Sequence, residues 1–321
     1  HSDSVHLLPA CCWSPLPGIM LLPMRSGRYI PGISAEAARA WQEDVRAELF
    51  RYLHLDDLAG GPAIPLDEDL VSNIASTAAG AGFVRSEITL ASTLTRRIDA
   101  VVTLPEGDGS VPGVVCIHGH GSDRRGVYAA DSIYKGFATE LARLGYATIA
   151  VDVGQHEVCE EGRLLMGERL WDCRRAVDWF TSHPRVDAAR IGCAGLSLGG
   201  EMAMWLGAMD VRIAAEVSAG FLTTMDQMEQ NHCMCWKFDG LRELVDYADI
   251  YALTAPRPLQ CQNGLQEDET QFFVPLAWQA LEEIEPAYRD LGGAGNVSLH
   301  VHGGGHEIDL PALVGFFEKH L

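Results

Sequence analysis

From Val111 onward the chain alternates short apolar runs with longer amphipathic segments, the signature of a parallel sheet whose strands are joined by crossover helices. The runs at 113–118, 147–153, 190–196, 213–218, 258–262 and 297–301 read as strands. The segments at 131–144, 164–182, 198–208, 275–291 and 310–320 read as helices. Upstream, 83–91 and 96–104 read as adjacent antiparallel strands joined by a short polar connection. The expectation is a mostly parallel, eight-stranded α/β sheet flanked by helices. Before it, Ser34 serves as N-cap of a helix whose Ala38, Trp41, Val45, Leu49 and Tyr52 recur at helical spacing. Gly60-Gly61-Pro62 and Pro65 then break the chain. Residues 1–82 are therefore expected to form an N-terminal helical extension and 83–321 the α/β domain. Within that domain, 221–251 interrupts the alternation and reads either as a lid over a site or as a core-packing segment.

A chain of 321 residues, 47% apolar and 21% charged, can bury a continuous core without disulfide or metal staples, which excludes disorder and small disulfide scaffolds. The balance of 44 Asp+Glu against 24 Lys+Arg leaves a net charge of -20. A phosphate backbone or anionic lipid surface would be repelled, so neither nucleic acid nor membrane is an expected partner. A small-molecule substrate is expected instead, and the apolar stripe of the N-terminal helix could pack on the sheet or on a second copy in a homo-oligomer. No run reaches the roughly 18 apolar residues of a membrane span. Pro9, Pro15, Pro17 and Pro23 interrupt the apolar opening segment, which makes a poor signal peptide. The cysteines number nine, and Cys116, Cys193 and Cys261 sit in strand-like runs where a free thiol acts as a small hydrophobe. A reducing, cytoplasmic setting is expected. Cys11-Cys12 and Cys233-Met-Cys235 lack both the two-residue spacer and the second ligand pair of a zinc site, so no metal is expected.

The most specific motif is Gly195-Leu196-Ser197-Leu198-Gly199-Gly200, set between an apolar strand and an amphipathic helix. A serine in a tight strand-to-helix turn presents its hydroxyl, and the glycines two before and two after let backbones pass. The first helical N–H groups then lie beside any oxyanion that forms there, Leu198 first among them. His118-Gly119-His120-Gly121 follows the run Val114-Val115-Cys116-Ile117, and glycines at that place can bring a second N–H donor, that of His120, to the oxyanion. His118 and His120 as metal ligands are the competing reading.

A general base for Ser197 must come from the same sheet edge, where the carboxyl ends of parallel strands gather. His306, in Gly303-Gly304-Gly305-His306-Glu307 after the last strand, meets that requirement. His300 and His302 belong to the strand itself and His320 to the terminal helix, while His156 and His232 lie in loops that could line a pocket. The acid that orients the base should follow the penultimate strand, and Glu267-Asp268-Glu269 offers three consecutive choices that spacing alone does not separate. Asp152 is an outsider from another loop.

On these residues the chain from about Phe83 to Leu321 resembles the α/β-hydrolase superfamily, and within it the branch similar to dienelactone hydrolases and acetyl xylan esterases. The order Ser197, acid, His306 is the superfamily's, and the run from Val186 to Gly200 and the segment Ala255-Pro256-Arg257-Pro258-Leu259 look like that branch. The resemblance implies an acid supplied by an Asn-Gly-x-x-Asp motif. Counting from Asn263-Gly264 puts Glu267 at that position, a departure from Asp, with Asp268 as the alternative if the loop carries one more residue. Dienelactone hydrolases proper use Cys where this chain has Ser197, so that particular activity does not carry over.

The expected function is a serine carboxylic-ester hydrolase acting through an acyl-enzyme on short-acyl or acetyl esters, among them acetylated carbohydrates, with no cofactor. The alternatives are an acyltransferase or amidase on the same scaffold, a catalytically silent binding protein, and a metal-dependent hydrolase built on His118 and His120.

Overall fold

A computed structural model describes residues 25–66, 68–74 and 82–321. The strands are β1 (Glu68–Ile74), β2 (Phe83–Ala91), β3 (Arg97–Pro105), β4 (Val111–Ile117), β5 (Ala147–Val151), β6 (Val186–Leu196), β7 (Ile213–Ala219), β8 (Leu259–Gly264) and β9 (Val297–His302). They form one sheet in the order β1-β2-β3-β5-β4-β6-β7-β8-β9. β4 to β9 run parallel to one another, and β1, β2 and β3 are added antiparallel at one side. The eight strands expected from Phe83 onward are thus joined by a ninth, β1, in the segment read from sequence as purely helical.

The helices are α1 (Ala35–Tyr52), α2 (Asp56–Gly60), α3 (Phe137–Arg143), α4 (Leu165–Ser182), α5 (Leu198–Met209), α6 (Met225–Asn231), α7 (Leu241–Leu244), α8 (Tyr247–Ala252), α9 (Val274–Asp290) and α10 (Leu310–His320). The inner strands are buried on both faces, which is why they read as continuous apolar runs. Alternate residues of β4 serve opposite layers: Val115 and Ile117 join the core under α4, α5 and α9, whereas Val114 and Cys116 join the one under α3 and α10. The helix expected over 131–144 begins only at Phe137, because Lys135 and Gly136 both take positive φ (53° and 59°) and cannot extend a right-handed helix toward the N-terminus.

The Ser34 hydroxyl caps α1 by accepting from the Ala37 N–H. Its buried face carries Ala38, Gln42, Val45 and Leu49. Gln42 Nε2 donates to the carbonyls of Ala252, Leu253 and Ala255, so the stripe of α1 is spent on this chain's own fold beside α8. Among the described residues no helix is long and apolar enough to cross a membrane.

The strand order reverses at β4, with β5 on one side and β6 on the other. In an open parallel sheet the crevice at the carboxyl ends of such a pair is where ligands bind. The loops after β4 and β6 carry His118-Gly119-His120 and Ser197.

Candidate active site

Ser197 sits between β6 and α5 with φ 65° and ψ -125°, a strained conformation for a residue with a side chain. The surroundings hold it there. Its N–H donates to the Ala219 carbonyl at the end of β7 (2.9 Å). A Cβ on Gly195 would meet the Gly199 carbonyl oxygen at 2.2 Å, one on Gly199 the Ile117 oxygen at 2.2 Å, and one on Gly200 the Ala219 oxygen at 2.4 Å. Each glycine of the turn is therefore required by a backbone that passes where a side chain would be. Leu198 is the first helical residue, so its N–H has no carbonyl one turn earlier and is free for an oxyanion.

The loop after β4 lies against this turn, since a Cβ on Gly119 would come 3.0 Å from Ser197 Cβ. The Gly119 N–H is already spent on the Tyr134 hydroxyl (2.6 Å), which leaves the next N–H, that of His120, as the loop's candidate donor. His118 is fully buried, with Nδ1 2.8 Å from the Gly119 carbonyl and Nε2 accepting the Val153 N–H at 3.1 Å. Both ring nitrogens are engaged in holding the β4 and β5 loops together, so the metal pair of His118 with His120 does not form. Asp152 shares in that task by accepting the Arg124 N–H and pairing with its guanidinium. Burial alone would raise its pKa, but the backbone N–H and guanidinium of Arg124 act against that, and it is held at about 2. Asp152 is thus a positioning acid of the β4–β5 loops and not the partner of His306.

His306 follows β9, with its Nδ1 3.1 Å from both carboxylate oxygens of Glu267. Since a carboxylate can only accept, Nδ1 carries the proton and the Nε2 lone pair is left free of this pairing. Three features bring the pair together. The Leu265 and Gln266 N–H groups donate to the carbonyls of His302 and Gly304, lacing the β8 loop to the β9 loop. Gly264 gives way to the Gly305 carbonyl, which would lie 2.3 Å from a Cβ there. Asn263 Nδ2 donates to the Phe272 carbonyl (3.0 Å) and closes the acid loop from inside.

These contacts give the Asn-Gly pair a physical purpose. The Glu267 side chain is only 4% exposed, whereas Asp268 and Glu269 face solvent, and Asp268 accepts the Thr270 N–H at 2.7 Å. The structure joins Glu267 to His306, not Asp268.

Two further residues that sequence reasoning did not single out fix the imidazole. Phe272 stacks on it at 5.2 Å and 12°. Gly220, with φ 56°, leaves room for it, because a Cβ there would stand 2.9 Å from His306 Cε1. Gly220 directly follows Ala219, the acceptor of the Ser197 N–H, so the His306 ring and the serine turn converge on the same end of β7.

His300 pairs with Asp309 (3.0 Å), and the His302 ring accepts the Gly304 N–H. Both are structural, as expected for residues of the strand. The 221–251 segment buries Phe221, Met225, Met228 and Trp236 in the main core, so its apolar side chains pack, while its 232–235 turn reaches the site. There His232 lies ring to ring with His120 (6.0 Å) and with Phe272 (5.5 Å). Burial, reinforced by the charges of Arg169, His232, His156 and His118, lowers the His120 pKa to about 4, so its imidazole is neutral near pH 7.

Residues 174–237, which span the serine turn, match the family described as BAAT / Acyl-CoA thioester hydrolase C terminal. YtaP of Bacillus subtilis (strain 168), a protein assigned as a hydrolase, is 29% identical over 176 residues, 47% of this chain and 58% of its own length. Among solved structures, a protein of Bacteroides fragilis NCTC 9343 assigned as an acetyl xylan esterase superposes with TM-score 0.71 at 17% identity, covering 87% of this chain and 79% of that one. A glucuronoyl esterase from Solibacter usitatus superposes with TM-score 0.69 at 17% identity, covering 94% and 98%. The strand order and these likenesses agree: the chain has the α/β-hydrolase fold, which the proteins described as acetyl xylan and glucuronoyl esterases share.

Proposed function

We propose that this protein is a serine carboxylic-ester hydrolase that works through an acyl-enzyme on short-acyl esters. The observation that carries the reading is the strained Ser197 turn, held at the same end of β7 as the His306–Glu267 pair. In the first half-reaction Ser197 Oγ attacks the ester carbonyl carbon while His306 Nε2 takes the hydroxyl proton. The bond to the leaving alkoxide then breaks, and the imidazolium returns that proton to it. In the second half, water loses a proton to Nε2 and attacks the acyl carbon, and Ser197 leaves with the proton restored. Glu267 keeps the imidazole in the Nδ1–H tautomer and offsets its charge when it becomes imidazolium. The N–H groups of Leu198 and His120 receive the oxyanion, an interaction worth roughly 3 kcal/mol per donor.

The family matched over 174–237 favours a second reading, an acyl-CoA thioester as substrate. Oxygen esters are placed first, because a net charge of -20 opposes a polyanionic coenzyme. The test is a ladder of p-nitrophenyl esters from acetyl to long acyl beside a matching acyl-CoA series, for the starting protein and Ser197→Ala. Short oxygen esters should turn over fastest, and the substitution should lower kcat by about 10⁴-fold or more. Equal rates in the two proteins would remove Ser197 as nucleophile, and faster turnover of the acyl-CoA series would move the substrate class to thioesters.

A further inference from the structure

Beside the triad, four side chains from three separate loops converge. His120 follows β4, His156 follows β5, and Cys233 and Cys235 lie in the turn after α6; their ligand atoms all lie within 4.8 Å of one another. His120 Nε2 is 3.2 Å from Cys235 Sγ, and His156 Nε2 is 3.4 Å from Cys233 Sγ. A tetrahedral zinc ion with Zn–S of about 2.3 Å and Zn–N of about 2.0 Å sets its S···N edges at about 3.5 Å and its S···S edge at about 3.8 Å. The two S···N pairs lie within about 0.3 Å of that edge, and no pair of the four atoms is more than 4.8 Å apart, which shifts of about 1 Å close to the spacing such an ion needs.

A fifth residue supports the same conclusion. Arg169 of α4 is fully buried and donates to Cys235 Sγ (3.3 Å) and to the Gln155 carbonyl next to His156 (2.5 Å), bridging two of the ligand-bearing loops. Among the described residues no carboxylate forms an ion pair with it, and Glu201 acts on it only at longer range. A buried guanidinium favours electron-rich acceptors, and a metal-bound thiolate sulfur is a stronger acceptor than a thiol.

We propose that His120, His156, Cys233 and Cys235 form a structural zinc site that ties the 232–235 turn to the loops after β4 and β5. Two imidazoles and two thiolates are a closed ligand set with no position left for substrate, so the ion is a staple and not the catalyst. Each cysteine gives up its thiol proton to solvent as its sulfur bonds the ion, and two thiolates on a divalent cation leave a neutral centre beside Arg169. The ring of His120 holds the loop whose own N–H faces the oxyanion, so the ion would fix that donor. The binding claim rests on the ligand geometry and is independent of the hydrolase reading.

The test is metal analysis of the full chain, free of any affinity tag and purified reduced without chelator, followed by stripping and titration with Co²⁺. About one zinc per chain is expected, with cobalt giving thiolate-to-metal charge transfer and tetrahedral visible bands that saturate at about one equivalent. Cys233→Ser with Cys235→Ser should lose the metal and both signals, and His156→Gln should weaken cobalt binding roughly tenfold or more, with circular dichroism confirming that both variants fold. Ser197→Ala should keep the full metal content, so an inactive enzyme and an absent zinc are separate results. Protein without zinc that also gives no charge-transfer band with cobalt would overturn the site. So would zinc retained in the folded double cysteine variant, or a reversible Cys233–Cys235 disulfide in place of the bound metal.

Discussion

The carboxyl edge of the sheet has two halves built on different plans. In the half that holds Ser197, Glu267 and His306, placement is achieved by backbone: glycines at 195, 199, 200, 220 and 264 admit carbonyls or a ring within distances that no Cβ would tolerate. In the half that holds His120, His156, Cys233 and Cys235, side chains approach one another across three loops, with buried Arg169 as the bridge between two of them. The first plan gives rigidity through short sequence motifs. The second depends on what joins the side chains, and it gathers residues more than a hundred positions apart.

The strongest test of this contrast is Glu267→Gln. The amide is nearly isosteric, but it can present an N–H to Nδ1, which favours the imidazole tautomer with its proton on Nε2, where the base must be free. A fall in kcat of roughly 10³- to 10⁴-fold is expected with little change in folding, measured by steady-state kinetics beside thermal unfolding. A loss under about tenfold would mean that backbone packing alone orients His306.

Gly220→Ala tests the backbone plan itself. An added methyl would meet His306 Cε1 and Leu196 Cδ1 at 2.9 Å each, on a residue with φ 56°. Left-handed backbone costs alanine about 1 kcal/mol, and the ring must shift by some tenths of an ångström. The expected result is a drop in kcat of roughly 10- to 100-fold with KM nearly unchanged, together with a Tm lowered by a few degrees. Wild-type kcat in a folded Gly220→Ala protein would show that the end of β7 does not position the base.

The contrast also explains what the sequence could reveal. The turn at Ser197 is a local object: strand, glycine spacing and helix lie within one short window, so its place between β6 and α5 was legible. His306 was legible for a similar reason, as the histidine in a glycine-rich loop after the last strand. The acid was only narrowed to three neighbours by the residues themselves, because its selection depends on Asn263 closing the loop and on the lacing of 265–266 to 302–304, which are tertiary facts. Gly220 and Phe272 carried a weak signal at most, a glycine after a strand and an aromatic beside the acid loop. The cluster of His120, His156, Cys233 and Cys235 was legible only in fragments, since its second ligand pair comes from two distant loops and Cys233-Met-Cys235 has an atypical spacer. Strand β1 escaped for a simpler reason: Glu68-Asp69-Leu70-Val71-Ser72-Asn73-Ile74 has no clear alternation, and it forms by pairing at the sheet edge with β2.

The smallest expected effect is at Asp268, one residue from the acid that pairs with His306. Its carboxylate accepts the Thr270 N–H, which with the Thr270 side chain holds its pKa below the usual range, and it faces solvent away from the imidazole. Asparagine keeps an oxygen that can accept the same N–H, so Asp268→Asn preserves the turn and removes only a solvent-screened charge. Steady-state kinetics should find kcat within about threefold of the starting protein, since a solvent-screened charge adds little to an imidazolium that Glu267 already faces. The value of the measurement lies in its pairing with Glu267→Gln. Equal large losses in both variants would mean that the loop slides by one residue during turnover, so that both carboxylates take part. A loss at Asp268 alone would transfer the acid's role to that residue. Only the unequal result fits a loop locked by Asn263 and Gly264, in which one carboxylate is turned inward at 4% exposure and its neighbour is left to shape the turn.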